Sequence, residues 1–194
     1  MTGRSSLTLR PAYRRGAANA FLICAIASRA GAAFGEPVTA FDWTKMQWAN
    51  VDRSIVYDCF ASALPASGRP ACVGNAAERC ETTPPRHQTT VDIMECRMAE
   101  AVAWDGILQA QIELKSNSFN EVDEEFGERP GWIPTRDALL EAHAAWTSFR
   151  AAECGFVYAL NQGGTIRNVL APVCNLDMTA QRAIHVRDLG QEPQ

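Results

Sequence analysis

This chain of 194 residues lacks the short motifs by which most enzymes and metal proteins are recognised. It contains no Cys-x-x-Cys pair, no nucleophile elbow, no zinc signature and no phosphate-binding loop. Its histidines, His87, His143 and His185, are not spaced as metal ligands around the cysteines. These absences lead us to expect no metal, no cofactor and no catalytic activity.

Long hydrophobic runs are scarce too, because residues 17–27 form one such run and no other follows. Arginines precede this run and small residues follow it, which is the three-part pattern of a secretory signal peptide. The run is far shorter than the roughly 20 apolar residues that span a bilayer. We expect residues 1–35 to be removed, with a cut after Ala32 as the alternative. The mature protein is then periplasmic or secreted, without a membrane span.

The cysteines divide between the two parts of the chain. Cys24 lies inside the apolar run and should leave with it, whereas an even set of six follows. In an oxidising compartment such a set predicts disulfides, and we predict nearest-neighbour pairs: Cys59 with Cys72, Cys80 with Cys96, and Cys154 with Cys174. Cys72 and Cys80 fall in one predicted helix, about 12 Å apart at about 1.5 Å per residue, which is too far for a bridge. If that helix is interrupted, pairing of Cys59 with Cys96 and of Cys72 with Cys80 stays open.

The charge of the chain is acidic once the predicted signal is set aside. Removing its five arginines leaves 13 basic residues against 22 acidic ones, so the formal net charge falls from −4 to −9. An acidic surface disfavours nucleic acid and anionic lipid as partners and favours fast association with basic proteins. From the charge alone, plain solubility is the simpler explanation.

The pattern of apolar residues and helix breakers predicts short helices first and a long one after them. Residues 36–56 form an aromatic lead-in without clear period, and short helices are predicted at 57–63 and 71–81. Thr89 or Thr90 can cap a long amphipathic helix. Its apolar stripe, spaced at three or four, consists of Ile93, Met94, Met98, Ala101, Trp104, Leu108 and Ile112.

A second long helix is predicted after a polar segment. Residues 116–134 are interpreted as a loop, and the acids at 121–128 as solvated, although paired carboxylates there are the one enzymatic alternative. Thr135 or Asp137 restarts a helix that ends near residue 163, and Thr179 caps a last helix. The expected apolar face of the second helix consists of Leu139, Ala142, Trp146, Phe149, Phe156 and Leu160. No stretch alternates at period two, so the predicted class is all-α: a small disulfide-stapled bundle built on two long antiparallel helices.

The C-terminal half also contains an ordered series of motifs. An aromatic-x-x-aromatic-Arg-x-x-Glu-Cys segment precedes a Gly-Gly-Thr loop, a closing cysteine and a Thr-x-x-Arg-Ala motif. The residues are Trp146, Phe149, Arg150, Glu153, Cys154, Gly163, Gly164, Thr165, Cys174, Thr179, Arg182 and Ala183. Upstream, Cys96 near the start of the long helix is followed by Trp104, Asp105 and Leu108.

This series resembles the LprI-like lysozyme-inhibitor family of small exported helical domains, and the resemblance covers roughly residues 57–190. The chain departs from the family pattern at Gln109, Ile112 and His143, where asparagine, tyrosine and glutamine are usual. The resemblance implies a helical domain with a protein partner, and it supports the fold more strongly than an activity.

For most matching residues we expect a structural role. Trp104, Trp146 and Phe149 fall on predicted apolar stripes and are expected in the core. Asp105 and Arg150 are expected to pair between the long helices, which would orient them. Arg182, after Thr179, is expected to bind carbonyl groups or an acid such as Glu153.

Two functions remain. The first is a periplasmic protein that blocks lysozyme, a basic enzyme whose cleft works with two carboxyl groups. The candidate insert is the glycine segment with Gly163, Gly164, Thr165, Arg167 and Asn168, whose glycines permit close approach and whose polar side chains donate hydrogen bonds. The alternative for this segment is a helix-terminating turn that needs glycine for its shape. The second function is a structural or interaction module of the cell envelope with a different partner.

Overall fold

The computed structural model describes residues 48–64, 68–127 and 129–190 of the chain. The predicted signal peptide and most of the predicted lead-in lie outside these residues. Every element in the described part is a helix, in agreement with the predicted all-α class. The helices are α1 (Arg53–Ser62), α2 (Asn75–Thr82), α3 (Thr90–Phe126), α4 (Thr135–Leu160) and α5 (Arg167–Asp188).

The two short helices are positioned by a buried carboxylate and by disulfides. α1 begins earlier than the sequence predicts, because the Asp52 side chain accepts the Ser54 N–H and so caps it. α2 begins at Asn75 rather than at residue 71. The Glu100 carboxylate, 1% exposed, accepts the N–H groups of Gly74 and Ala77 at 2.8 and 2.7 Å. A negative charge at a helix N-terminus is favourable, so Glu100 fixes α2 against α3.

α3 starts where the sequence predicts and runs further. Thr89 and Asp92 form a reciprocal capping box before its first turn. The helix continues to Phe126, so the prediction of a loop over residues 116–134 was wrong for its first part. Asp123 lies on this last stretch and accepts the N–H groups of Thr135 and Arg136 at 2.8 and 2.9 Å. The polar end of α3 therefore also caps the start of α4.

α4 runs antiparallel to α3, and α5 returns in the direction of α3. Asp123 near the end of α3 meets the start of α4, and Lys115 donates to the carbonyl oxygen of Leu189 just after α5. α5 begins at Arg167, so Thr179 lies in its interior and the prediction that Thr179 caps the last helix was wrong. The Thr179 hydroxyl instead donates to the carbonyl of Asn175 at 2.6 Å.

The core lies mainly between α3 and α5, which pack on each other more extensively than any other pair of described helices. The two long antiparallel helices of the prediction are present as α3 and α4, while α5 supplies the larger share of the packing. Trp104 and Leu108 of α3 and Leu176 of α5 are fully buried, and Phe60 of α1 meets the Trp104 ring edge to face at 6.2 Å.

The outer face of α4 does not join this core. Phe149, Phe156 and Leu160 are 57%, 59% and 70% exposed, so the prediction that they are core residues was wrong. The buried side of α4 is carried by Leu139, by the guanidinium of Arg150 and by Cys154 in its disulfide. α4 thus has a second apolar stripe that faces outward.

The disulfides are the nearest-neighbour pairs that the sequence predicts. Cys59 joins Cys72, Cys80 joins Cys96, and Cys154 joins Cys174, with Cα–Cα distances between 5.5 and 5.7 Å. One premise of that prediction was wrong, because Cys72 precedes α2 and does not share a helix with Cys80. The first two bonds hold α1 to the segment before α2, and α2 to α3. The third holds α4 to α5.

Candidate partner-binding site

A buried ion pair links the three long helices. Nη1 of Arg150 lies 3.1 Å from a carboxylate oxygen of Asp105 and donates to the Thr179 hydroxyl at 2.7 Å. The two charged side chains are only 8% and 15% exposed. The predicted pairing of Asp105 with Arg150 is therefore present, and its geometry orients α3, α4 and α5 around one guanidinium.

Two guanidinium groups and one imidazole ring surround Trp146 beside this pair. The guanidinium carbons of Arg150 and Arg182 lie 4.8 and 5.7 Å from the centre of its ring, and His143 stacks on it at 6.0 Å. Burial, followed by the charge of Arg182, lowers the pKa of His143, while Asp105 opposes that effect. A neutral imidazole therefore fits this place at neutral pH. The cluster binds helices together and presents no nucleophile with an adjacent base.

The turn between α4 and α5 contains the residues that the sequence nominates for partner binding. Gly163, Gly164 and Thr165 are exposed, while Arg167 and Asn168 are half-buried in the first turn of α5. Nη1 of Arg167 donates to the Gln162 carbonyl at 3.1 Å, and its guanidinium lies 4.9 Å from the centre of the Tyr158 ring. Arg167 thus braces the turn, while its Nε has no hydrogen-bond partner among the described residues.

Neither glycine of this turn is needed for the fold. Neither has a φ angle in the left-handed region, and a Cβ atom built on either would meet nothing within 4 Å. Gly74 shows the contrast, because its φ is 104° and a Cβ there would lie 2.8 Å from Nη1 of Arg97. The alternative that Gly163 and Gly164 serve the shape of a helix-terminating turn therefore has no support in the backbone.

No cluster of three His, Cys, Asp or Glu side chains that could hold a metal occurs within residues 48–64, 68–127 and 129–190. None of the helices in these ranges combines the length and apolar character that a membrane crossing requires.

The family model described as "Lysozyme inhibitor LprI" matches residues 80–185, which is more than half of the chain. The chain belongs to the LprI family. No curated protein and no solved structure matches it.

The LprI match spans α3, α4 and α5 and ends near the end of α5. It includes the disulfides Cys80–Cys96 and Cys154–Cys174, the Asp105–Arg150 pair and the glycine turn. α1 and the disulfide Cys59–Cys72 lie before it. The candidate site thus lies in the part of the fold formed by α3, α4 and α5, and α1, most of α2 and the first disulfide precede the match.

Several residues that shape this part of the fold were not singled out by sequence reasoning. Glu100 is a buried carboxylate on an otherwise apolar side of α3. It lies four residues before Trp104 and therefore on the same side of the helix, and an acid at that spacing is the signal that could have identified it. Asp123 was grouped with solvated acids, although it caps α4. Ile166 belongs to the predicted insert but was given no role of its own, and it is an exposed apolar side chain directly before α5.

Proposed function

We propose that this LprI-family chain is an exported protein that inhibits lysozyme by binding to it and has no catalytic activity of its own. Membership of a family described as lysozyme inhibitors supports this proposal. The proposed export rests on the sequence pattern of residues 1–35. The alternative is an envelope interaction module with another partner, and the assay below separates the two.

The inhibitory surface that we propose is the α4–α5 turn. The observation that carries this proposal is the exposed glycine pair, Gly163 and Gly164, for which the chain itself has no steric or conformational need. A glycine without an internal reason leaves the backbone accessible to an approaching partner. A lysozyme cleft is a concave surface that a narrow, backbone-rich turn can enter.

The arginine beside the glycines supplies a polar contact. Arg167 is half-buried, and its Nε has no acceptor among the described residues. Because that atom is shielded from solvent, a carboxylate from a lysozyme cleft would instead approach the exposed part of the guanidinium and form a charge-assisted hydrogen bond there. We therefore expect Arg167→Ala to weaken inhibition by more than about 1 kcal/mol.

The disulfide between Cys154 and Cys174 would keep this turn ordered before it binds a partner. It joins the end of α4 to the beginning of α5 and closes a segment of 20 residues that contains the turn. A turn that is already ordered loses less conformational entropy on binding. The bond therefore supports affinity as well as stability.

The experiment measures the lysis of peptidoglycan by lysozyme in the presence of the oxidised protein and of its glycine variants. Gly163→Ala and Gly164→Ala should keep or slightly raise the unfolding midpoint, because glycine costs the unfolded chain more entropy than alanine does. The same variants should inhibit at least about tenfold less well, since 1.4 kcal/mol of lost contact corresponds to a factor of ten.

The matched control is Gly106→Ala on α3. This glycine is also exposed and has nothing within 4 Å of an added Cβ, but it lies on a different helix from the turn. It should inhibit as well as the parent protein. Inhibition that all three variants retain in full would place the inhibitory surface outside the turn, and a parent protein that never slows lysis would favour the envelope module.

A further inference from the structure

The outward stripe of α4 has the spacing of a helix-pairing surface. We call it the outer seam and define it by residues that recur at intervals of four and three and are all exposed. They are Ala138, Ala142, Ala145, Phe149, Ala152 and Phe156, with Leu160 one turn beyond. Apolar residues at such intervals form the contact line of paired helices.

The outer seam contributes nothing to the core of the described chain. Leu139, Arg150 and Cys154 carry the buried side of α4, and the two seam phenylalanines are 57% and 59% exposed. The seam residues themselves are uncharged, and two exposed acids, Glu141 and Glu153, flank the seam. An exposed apolar surface of this extent marks an interaction site.

We propose that the outer seam binds a second copy of this chain, with the two α4 helices antiparallel. The seam is self-complementary in size, because its N-terminal half consists of alanines and its C-terminal half carries both phenylalanines. Antiparallel pairing places Ala145 opposite Phe149 and Ala138 opposite Phe156, so each large ring meets a small residue. The same register brings Leu160 next to Ile133, which is also exposed.

Charge favours a second copy of this chain over a basic protein as the partner of the outer seam. A basic partner gains from acidic groups at the centre of the contact, whereas the acids beside the outer seam, Glu141 and Glu153, lie only at its margins. Two acidic copies repel each other unless they meet through an uncharged surface. An uncharged seam satisfies that condition, so self-association is the better match.

The available area suits a weak dimer. Between Ala138 and Leu160 the helix is about 33 Å long and about 10 Å across, which gives a side area of about 1,000 Å². Half of that area on each copy amounts to about 1,000 Å² in total, near the lower limit for a specific interface. We therefore expect a reversible dimer whose population depends on protein concentration.

Sedimentation velocity of the oxidised protein over about a hundredfold range of concentration tests the proposal. The parent should pass from monomer to dimer. Phe149→Ser and Phe156→Ser should each raise the dimer dissociation constant by about a hundredfold, because each removes two half-buried rings per dimer. Leu114→Ser is the matched control, since Leu114 is 60% exposed on α3, and it should dimerise like the parent.

Exchanging a small and a large side chain of the outer seam tests which residues face each other in the dimer. Ala145→Phe alone should weaken the dimer by crowding Phe149 of the other copy, whereas Ala145→Phe combined with Phe149→Ala should restore it. Circular dichroism establishes that each variant keeps its helices. A parent that stays monomeric throughout overturns the proposal, and so does a dimer that the phenylalanine variants leave unchanged. If the parent is monomeric and Phe149→Ser weakens lysozyme inhibition, the seam belongs to the enzyme contact instead.

Discussion

Replacement of Asp105 by leucine tests whether the buried ion pair holds the three long helices in place. The substitution removes the carboxylate that lies 3.1 Å from Nη1 of Arg150, in a place where both side chains are at most 15% exposed. Leaving one buried charge without its partner costs about 3–5 kcal/mol. The Thr179 hydroxyl remains as an acceptor for Arg150, so we take the lower end, about 3 kcal/mol. That is a large share of the roughly 5–15 kcal/mol that stabilises a typical domain.

The assay is urea unfolding at neutral pH with the disulfides intact, followed by circular dichroism. Glu113→Gln serves as the control, because Glu113 is an exposed acid on the same helix, and it should change the free energy of unfolding by less than about 0.5 kcal/mol. Asp105→Leu combined with Arg150→Met should be less destabilised than Asp105→Leu alone, since no unpaired charge remains. If Asp105→Leu costs no more than Glu113→Gln, the pair does not orient the helices.

Three further predictions follow from the described contacts. Replacing Cys154 and Cys174 together by serine opens a loop of 20 residues and should lower the free energy of unfolding by about 3 kcal/mol; equal melting midpoints would contradict this. Burial raises the pKa of Asp123, but the hydrogen bonds from the N–H groups of Arg136 and Thr135 outweigh burial and hold that pKa below its ordinary value. The stability that the Asp123 carboxylate contributes is therefore present above about pH 4 and is lost as the pH falls further. Asp123→Asn should flatten this acid-side loss in melting curves, and an unchanged pH profile would argue against it. The acids near the end of α3 lie about 39 Å from the glycine turn along the 26 residues of α4, far beyond the Debye length of about 10 Å. Glu124→Gln with Glu125→Gln should therefore slow association with lysozyme only at low salt. Slower association at physiological salt would instead place those acids at the contact.

The sequence was sufficient to predict features that depend on local chemistry. The capping residue Thr89 identified the start of α3, and the nearest-neighbour prediction matched the disulfide pairs, although its premise that Cys72 and Cys80 share a helix was wrong. The prediction failed where a weak local pattern needs tertiary contacts to be recognised. Residues 117–126 are mostly polar, with only Phe119, Val122 and Phe126 at helical spacing. They stay helical where Phe126 packs on Trp132 at 5.8 Å and Asp123 caps α4.

In the candidate site, too, some features could be predicted from the sequence and others depended on tertiary contacts. α4 has two apolar stripes, and periodicity alone does not tell which one is buried. The choice is made by Arg150, which pairs with Asp105, and by Cys154, which bonds to α5, so Phe149 is turned outward. The glycine turn was recognisable from its residues, whereas the open space around each glycine required the structure.

We propose that this LprI-family protein inhibits lysozyme through its α4–α5 turn. The most direct measurement is the rate at which lysozyme clears a peptidoglycan suspension with increasing amounts of the oxidised parent protein. We expect saturable inhibition that Gly164→Ala weakens without lowering the unfolding midpoint. A clearing rate that the parent leaves unchanged, at concentrations well above that of lysozyme, would contradict it.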